Sequence, residues 1–101
     1  MAEIVWTEPA LSDLDAIADS IALDKPSAAR ELVAQVFEHV AQLAVFPKSG
    51  SRPAELRDSR YRQIVEPPCR VIYRLEGEQV VILHVMRSEQ RLRRSKLRRS
   101  R

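Results

Sequence analysis

The period of the apolar positions changes along this chain, and each change marks an element. "EIVW", from Glu3 to Trp6, is a short apolar run that predicts a first strand. Thr7 then offers an N-cap hydroxyl, and Pro9 falls in a first helical turn, where its missing N–H is harmless. Leu11, Leu14, Ile17, Ala18 and Ile21 follow at the three- and four-residue spacing of one helical face. Pro26 disfavours helical geometry at Lys25, so this helix is expected to end near Leu23. Pro26 also opens a second helix with the stripe Leu32, Val33, Val36, Phe37, Val40, Leu43 and Ala44, expected to run until Pro47 stops it. So short a link predicts an antiparallel helical hairpin.

Beyond the loop "PKSGSRPAELRDS" the period falls to two. "RYRQIVE", "CRVIYRL" and "QVVILHVMR" read as three strands. Pro67 and Pro68 separate the first from the second, and the tight "EGE" turn joins the last two as a hairpin. Alternation gives each strand two faces. Tyr61, Gln63, Val65, Val71, Tyr73, Leu75, Val81, Leu83 and Val85 would pack on the helices. Arg60, Arg62, Ile64, Arg70, Ile72, Arg74, Ile82, His84 and Met86 would look outward as a mixed, basic face.

Composition narrows the function classes. A chain of 101 residues suggests one domain with a modest core. Two glycines are too few for a Gly-rich phosphate cradle. No apolar run reaches the roughly 20 residues that span a membrane, and the start "MAEIVWTEPA" has no signal-peptide core. Cys69 is the single cysteine, without a disulfide or metal-ligand partner in sequence. A half-buried strand thiol in a reducing, cytoplasmic setting is expected, with no metal and no cofactor. His39 reads as a rim side chain at the edge of its helical stripe.

The net charge of +3 is unevenly spread. Residues 1–46 hold eight acids and two bases, whereas residues 91–101, "RLRRSKLRRSR", hold seven bases and no acid. The domain is therefore read as residues 1–90, with a basic tail at 91–101. Such a tail either binds a polyanion or an acidic protein segment, or is a solvated end; its sequence suits a helix from Glu89 or a disordered terminus.

The outward face would bring Arg62, Arg70 and His84 into one neighbourhood. Arginine forks suit phosphate or carboxylate, and a histidine can move a proton near neutral pH. RNA cleavage by 2′-hydroxyl attack would use such a set. So would macromolecule binding, and a solvated strand face has the same composition.

The set "PALSDLDAIADSIA", "FP-x-x-G" after the second helix, "RVIYR" and "ILHVMRSE" resembles the RelE/ParE superfamily of toxins from bacterial toxin–antitoxin systems, over residues 3 to about 92. The resemblance implies an α+β fold, β-α-α-β-β-β, with a helical hairpin packed on a small, mainly antiparallel four-stranded sheet. It implies a cognate antitoxin, with Val33, Val40 and Ala44 of the hairpin as candidate contacts. A dimer of toxin–antitoxin pairs occurs in such systems. ParE-like members poison DNA gyrase, and RelE-like members cut mRNA on the ribosome. In RelE-like nucleases an arginine follows the last strand, here Arg87 or, in another alignment, Ser88, and a tail tyrosine or histidine often acts as acid or base. The tail here has neither, and its ending looks more like ParE-type members. Cys69 also departs from the pattern, since many relatives carry an aromatic there. The ParE-like reading takes Arg57, Arg60, Arg62, Arg70, His84 and Arg87 as target contacts. The RelE-like alternative takes Arg62, Arg70 and Arg87 as phosphate ligands and His84 as the acid–base group.

Overall fold

A computed structural model describes residues 1–57 and 59–99. Its elements are β1 (Glu3–Trp6), α1 (Glu8–Ala22), α2 (Pro26–Ala41), β2 (Tyr61–Glu66), β3 (Cys69–Glu76), β4 (Gln79–Arg87) and α3 (Arg94–Arg99). The strands form one sheet in the order β1-β4-β3-β2. β1 runs parallel to β4, and the other pairs are antiparallel. This is the α+β architecture expected from the chain.

Local chemistry sets the ends. Thr7 is extended, and its hydroxyl accepts from the Ala10 N–H at 3.3 Å, capping α1. Lys25 is extended ahead of Pro26, which opens α2. One expectation fails at the other end of α2. The helix stops at Ala41, and a 3₁₀ turn, Gln42–Ala44, replaces the helix expected as far as Phe46. The tighter turn keeps Leu43 buried and brings the Ala44 carbonyl to the Ala2 N–H at 2.8 Å. Val45 and Phe46 are left exposed.

The sheet is covered on both faces. On one, Ala10, Leu14, Leu32, Val36, Val40 and Leu43 of the helical layer pack on Ile64, Val71, Tyr73, Val80, Ile82 and Val85. On the other, Ile72, Val81, Leu83 and Met86 pack under Leu56, Leu92 and Leu97. The expected outward face is thus largely buried, and Arg70, Arg74 and His84 are buried with it.

Two strands also sit in the opposite phase to the expected one. In β2 it is Ile64, not Gln63 or Val65, that faces the helices. In β4 Val80 and Ile82 face them, while Val81 and Leu83 turn away. Hairpin register is the cause. Glu66 pairs with Cys69 across the Pro67–Pro68 turn, which sets Ile64 beside Val71. Glu76 pairs with Gln79 across Gly77, which sets Ile82 beside Tyr73. A register shift between Ile72 and Tyr73 then leaves Leu83 as an extra residue, and Val85 returns to the helical side.

Candidate functional site

β1 pairs only with Gln79–Ile82, so the rest of β4 has an open edge. α1 closes it. The Thr7 N–H and hydroxyl both donate to the Ile82 carbonyl, at 3.1 and 2.7 Å. One Asp13 carboxylate oxygen accepts from the Val85 N–H at 3.1 Å and also meets His84 Nδ1. Asp13 thus satisfies a strand amide and orients an imidazole in one contact.

On the face away from the helices, Arg70 is the centre of a second network. Its Nη1 donates to Glu55 Oε1 at 3.1 Å and to Gln63 Oε1 at 2.9 Å. Its Nη2 donates to Glu55 Oε2 at 2.5 Å and to the Gln90 carbonyl at 2.7 Å. Glu55 completes the clasp by accepting from the Leu92 N–H at 2.9 Å. The hydrogen bonds from Arg70 hold the Glu55 carboxyl down to about 2, with the Leu92 amide helping and burial opposing. The segment after β4 is therefore strapped across the sheet, with Leu92 turned into the core and Arg91 and Arg93 exposed on either side of it. Arg91 and Arg93 border an open cleft of about 460 Å³ together with Gln90, Asp13, His84, Ala16, Ile17, Val85 and Met86.

The sequence-derived site residues do not come together. Arg62 pairs with Tyr73 on the helical side of the sheet, and its Nη1 donates to the Gly50 and Lys48 carbonyls at 2.9 and 3.2 Å. Arg70 lies on the opposite face and only 6 % of it is exposed. His84 is held by Asp13 at the cleft. Arg57 and Arg60 are exposed, with the Arg60 guanidinium 5.9 Å from the Tyr61 ring centroid. Arg87 is half-buried opposite Cys69. Of the hairpin candidates, Val33 and Ala44 are half-buried, but Val40 is 1 % exposed and belongs to the core, because the α2 stripe turns it onto the sheet. Cys69 is buried rather than half-buried, and burial pushes its thiol up. His39 is a rim residue, with Nδ1 3.1 Å from Glu66 Oε1.

Sequence reasoning missed Asp13, Glu55 and Gln90, and gave no individual role to Arg91 and Arg93. Their signal was weak. Asp13 lies beside the apolar stripe of α1, where an acid is ordinary, and Glu55 sits in a loop. Leu92 between two arginines was the one legible hint of a strap with an inner and an outer side. The "FP-x-x-G" motif also gains a reason. The Tyr73 hydroxyl donates to the Pro47 carbonyl at 2.8 Å and accepts from the Gly50 N–H at 3.0 Å. A Cβ on Gly50 would stand 2.6 Å from the Gln63 carbonyl oxygen and 2.7 Å from a Tyr73 ring carbon. Among the described residues no group of three His, Cys, Asp or Glu is arranged to hold a metal. No helix among them is long and apolar enough to cross a membrane.

Comparison with known proteins agrees with this fold. A family model described as "ParE toxin of type II toxin-antitoxin system, parDE" matches residues 4–92. Toxin RelE2 of Caulobacter vibrioides is 34% identical over 89 residues, spanning 86% of this chain and 92% of that one. Toxin ParE3 of the same organism is 31% identical over 90 residues, spanning 85% and 86%. The solved structure described as a chromosomal ParDE toxin–antitoxin system from P. aeruginosa aligns with a TM-score of 0.73 at 32% identity, covering 88% of this chain and 98% of that one. With nearly its whole length matched, and with the sheet, hairpin and "FP-x-x-G" loop in place, this chain belongs to the ParE toxin family of type II toxin–antitoxin systems.

Proposed function

We propose that this toxin acts by binding DNA gyrase and stabilising its cleaved complex with DNA, rather than by cutting mRNA. One observation carries the reading. Arg62 and Arg70 lie on opposite faces of the sheet, and both Arg70 terminal nitrogens are already taken by Glu55, Gln63 and Gln90. A nuclease needs its cations and its proton-transfer groups around one phosphate. These two arginines serve the fold instead. The surface left for a target is Arg57, Arg60 and the outer part of Arg87, with the exposed arginines of the strap.

The family supplies the second partner. A type II system pairs the toxin with a cognate antitoxin, and an antitoxin helix fits the hairpin better than the sheet. Val33 borders an apolar groove with Ala18, Ala22 and Ala29, between α1 and α2. Ala44 borders a second hollow beside β4 with Ala2 and Leu75. An amphipathic segment would cover these surfaces.

The mRNA reading keeps one observation in its favour. Asp13 orients His84 at the edge of a cleft that also holds Arg91 and Arg93. A single positioned base contributes roughly 10²–10⁴-fold to rate. Two parallel reactions with the purified toxin separate the readings: gyrase supercoiling of relaxed plasmid, and mRNA cleavage on programmed ribosomes. Blocked supercoiling with linearised plasmid and intact mRNA is the expected result. Cut mRNA with normal gyrase overturns the proposal.

A further inference from the structure

The cleft between α1 and the strap has walls set by the fold, but it carries two arginines that no fold contact among the described residues uses. The node at Arg70 and Glu55 grips the Gln90 carbonyl and the Leu92 amide, one on each side of Arg91. Leu92 is drawn into the core beneath. The backbone of the neighbouring residues, Arg91 and Arg93, is thereby held at the cleft wall, with both side chains exposed. Neither has an acidic partner among the described residues. The facing wall carries His84, whose Nδ1 is occupied by Asp13, so that Nε2 is the ring nitrogen left for a ligand. Asp13 uses a single carboxylate oxygen for both His84 and the Val85 amide. Ala16 and Ile17 line the same cleft beside the nearly buried Val85 and Met86, which leaves an apolar side for a flat ring or a sugar face.

We propose that this cleft seats the phosphodiester backbone of a nucleic acid, with Arg91 and Arg93 on the phosphates and His84 Nε2 as the third polar contact. Two guanidinium forks carried on an anchored backbone, in one cleft with apolar side chains, match a nucleotide, which offers an anion and a flat ring a short distance apart. Beyond the cleft the chain carries further bases and no acid as far as Arg101, a charge pattern that follows a regularly charged backbone better than a mixed peptide. The seat does not require gyrase to be the target. It would give the toxin its own hold on DNA or RNA, whichever enzyme that nucleic acid accompanies.

The test is fluorescence anisotropy of the purified chain with labelled single-stranded DNA and RNA of one length, across a salt series. The double variant R91E/R93E is compared with Lys25→Glu, an exposed charge change at the link between the helices. Both replaced arginines are exposed, so the fold is expected to stand, and circular dichroism checks it. Loss of two charge-assisted contacts should weaken binding by about tenfold or more. Loss of two phosphate contacts should also flatten the salt dependence by roughly 1.4 log units per log unit of salt. K25E should leave both unchanged. A preference for DNA or for RNA names the source of the backbone and supports the seat equally. Weakening by K25E in proportion to its charge change, two units against the four of the double variant, overturns it, since that is diffuse attraction without a site. Binding of poly-glutamate as tight as that of the oligonucleotides, or no binding of either nucleic acid, also overturns it.

Discussion

Arg70 and Glu55 form a two-pronged ion pair that is also the anchor of the segment after β4. Each terminal nitrogen of Arg70 bonds one oxygen of Glu55, and each partner spends a further bond on the chain at Gln90 or Leu92. The pair therefore links the 3₁₀ turn Ala54–Leu56 of the loop before β2, the inner strand β3 and the strap. Arg70 Nε is buried with no partner among the described residues, so the site is already short of one acceptor. Removing the carboxylate leaves the guanidinium buried without its counter-charge. Glu55→Gln should cost about 3–5 kcal/mol in a denaturant titration. A loss well under 1 kcal/mol would mean that the strap holds without the pair.

Acid should weaken the same clasp, and the sign follows from Glu55. Its carboxyl titrates near 4.5 when unfolded and at about 2 when folded. A depressed folded value stabilises the native state fully above about 4.5, and that contribution fades as the pH falls toward 2. Thermal melts of the wild type and of Glu55→Gln across that range should converge as the pH drops. Carboxyls common to both proteins cancel in the difference, so parallel curves would contradict the assignment.

Gly50 is required by close approach rather than by backbone conformation. Its amide reaches the Tyr73 hydroxyl, and any Cβ would run into that hydroxyl, the Tyr73 ring and the Gln63 carbonyl. Gly50→Ala should cost about 1–3 kcal/mol by overpacking, a drop in Tm on the order of 10 °C. Tyr73→Phe leaves the Pro47 carbonyl and the Gly50 N–H without their buried partner, at about 1–3 kcal/mol. The double variant should recover part of the alanine penalty, because the hydroxyl clash goes while the carbonyl clash stays. Strict additivity in the melts would show that the two residues do not meet.

How far the chain could be read depended on how much each element was constrained by its own sequence. The helices, their proline starts and the three hairpin strands were legible, because caps and periods are local signals. The phases of β2 and of β4 as far as Leu83 were not read correctly, although the signal was present, whereas β3 was. β4 is apolar from Val80 to Val85 except at His84, since it is buried on both faces, and alternation carries little in such a run. Counting outward from the two-residue turns would have placed Ile64 with Val71 and Ile82 with Tyr73. The extra residue at Leu83 has no local mark at all. Of the site, Arg70 and His84 were singled out, but their partners Glu55 and Asp13 lie 15 and 71 residues away, beyond any spacing argument.

Asp13 should behave as an edge clamp. Asp13→Ala frees the Val85 amide and the His84 ring together, at the point where β1 has stopped pairing. A loss of about 1–3 kcal/mol is expected from the unmade bonds. Hydrogen exchange localises it: the Val85 amide should lose protection far more than the Tyr73 or Val71 amides in the middle of the sheet. Uniform loss across the sheet would mean that Asp13 supports the whole fold and not this edge.

The strap predicts an order of tryptic cutting. The bond after Arg91 joins it to Leu92, whose amide is held by Glu55, whereas Arg93 and Arg94 are exposed at the start of α3. Native proteolysis should therefore cut after Arg93 or Arg94 before it cuts after Arg91. Leu97 of α3 is buried in one cluster with Ile72, Val81 and Leu83. Leu97→Ala empties a buried site, at about 2–5 kcal/mol if the cost is felt by the whole fold. A short terminal helix has a cheaper route, which is to detach on its own. Leu97→Ala should then speed cutting after Arg93 and Arg94 while leaving Arg91 slow and the denaturant midpoint nearly unchanged. Glu55→Gln should do the reverse, opening the bond after Arg91 by releasing the Leu92 amide. Mass spectra of the early fragments distinguish the two, and the same first cut in both variants would mean that the strap and α3 open as one unit.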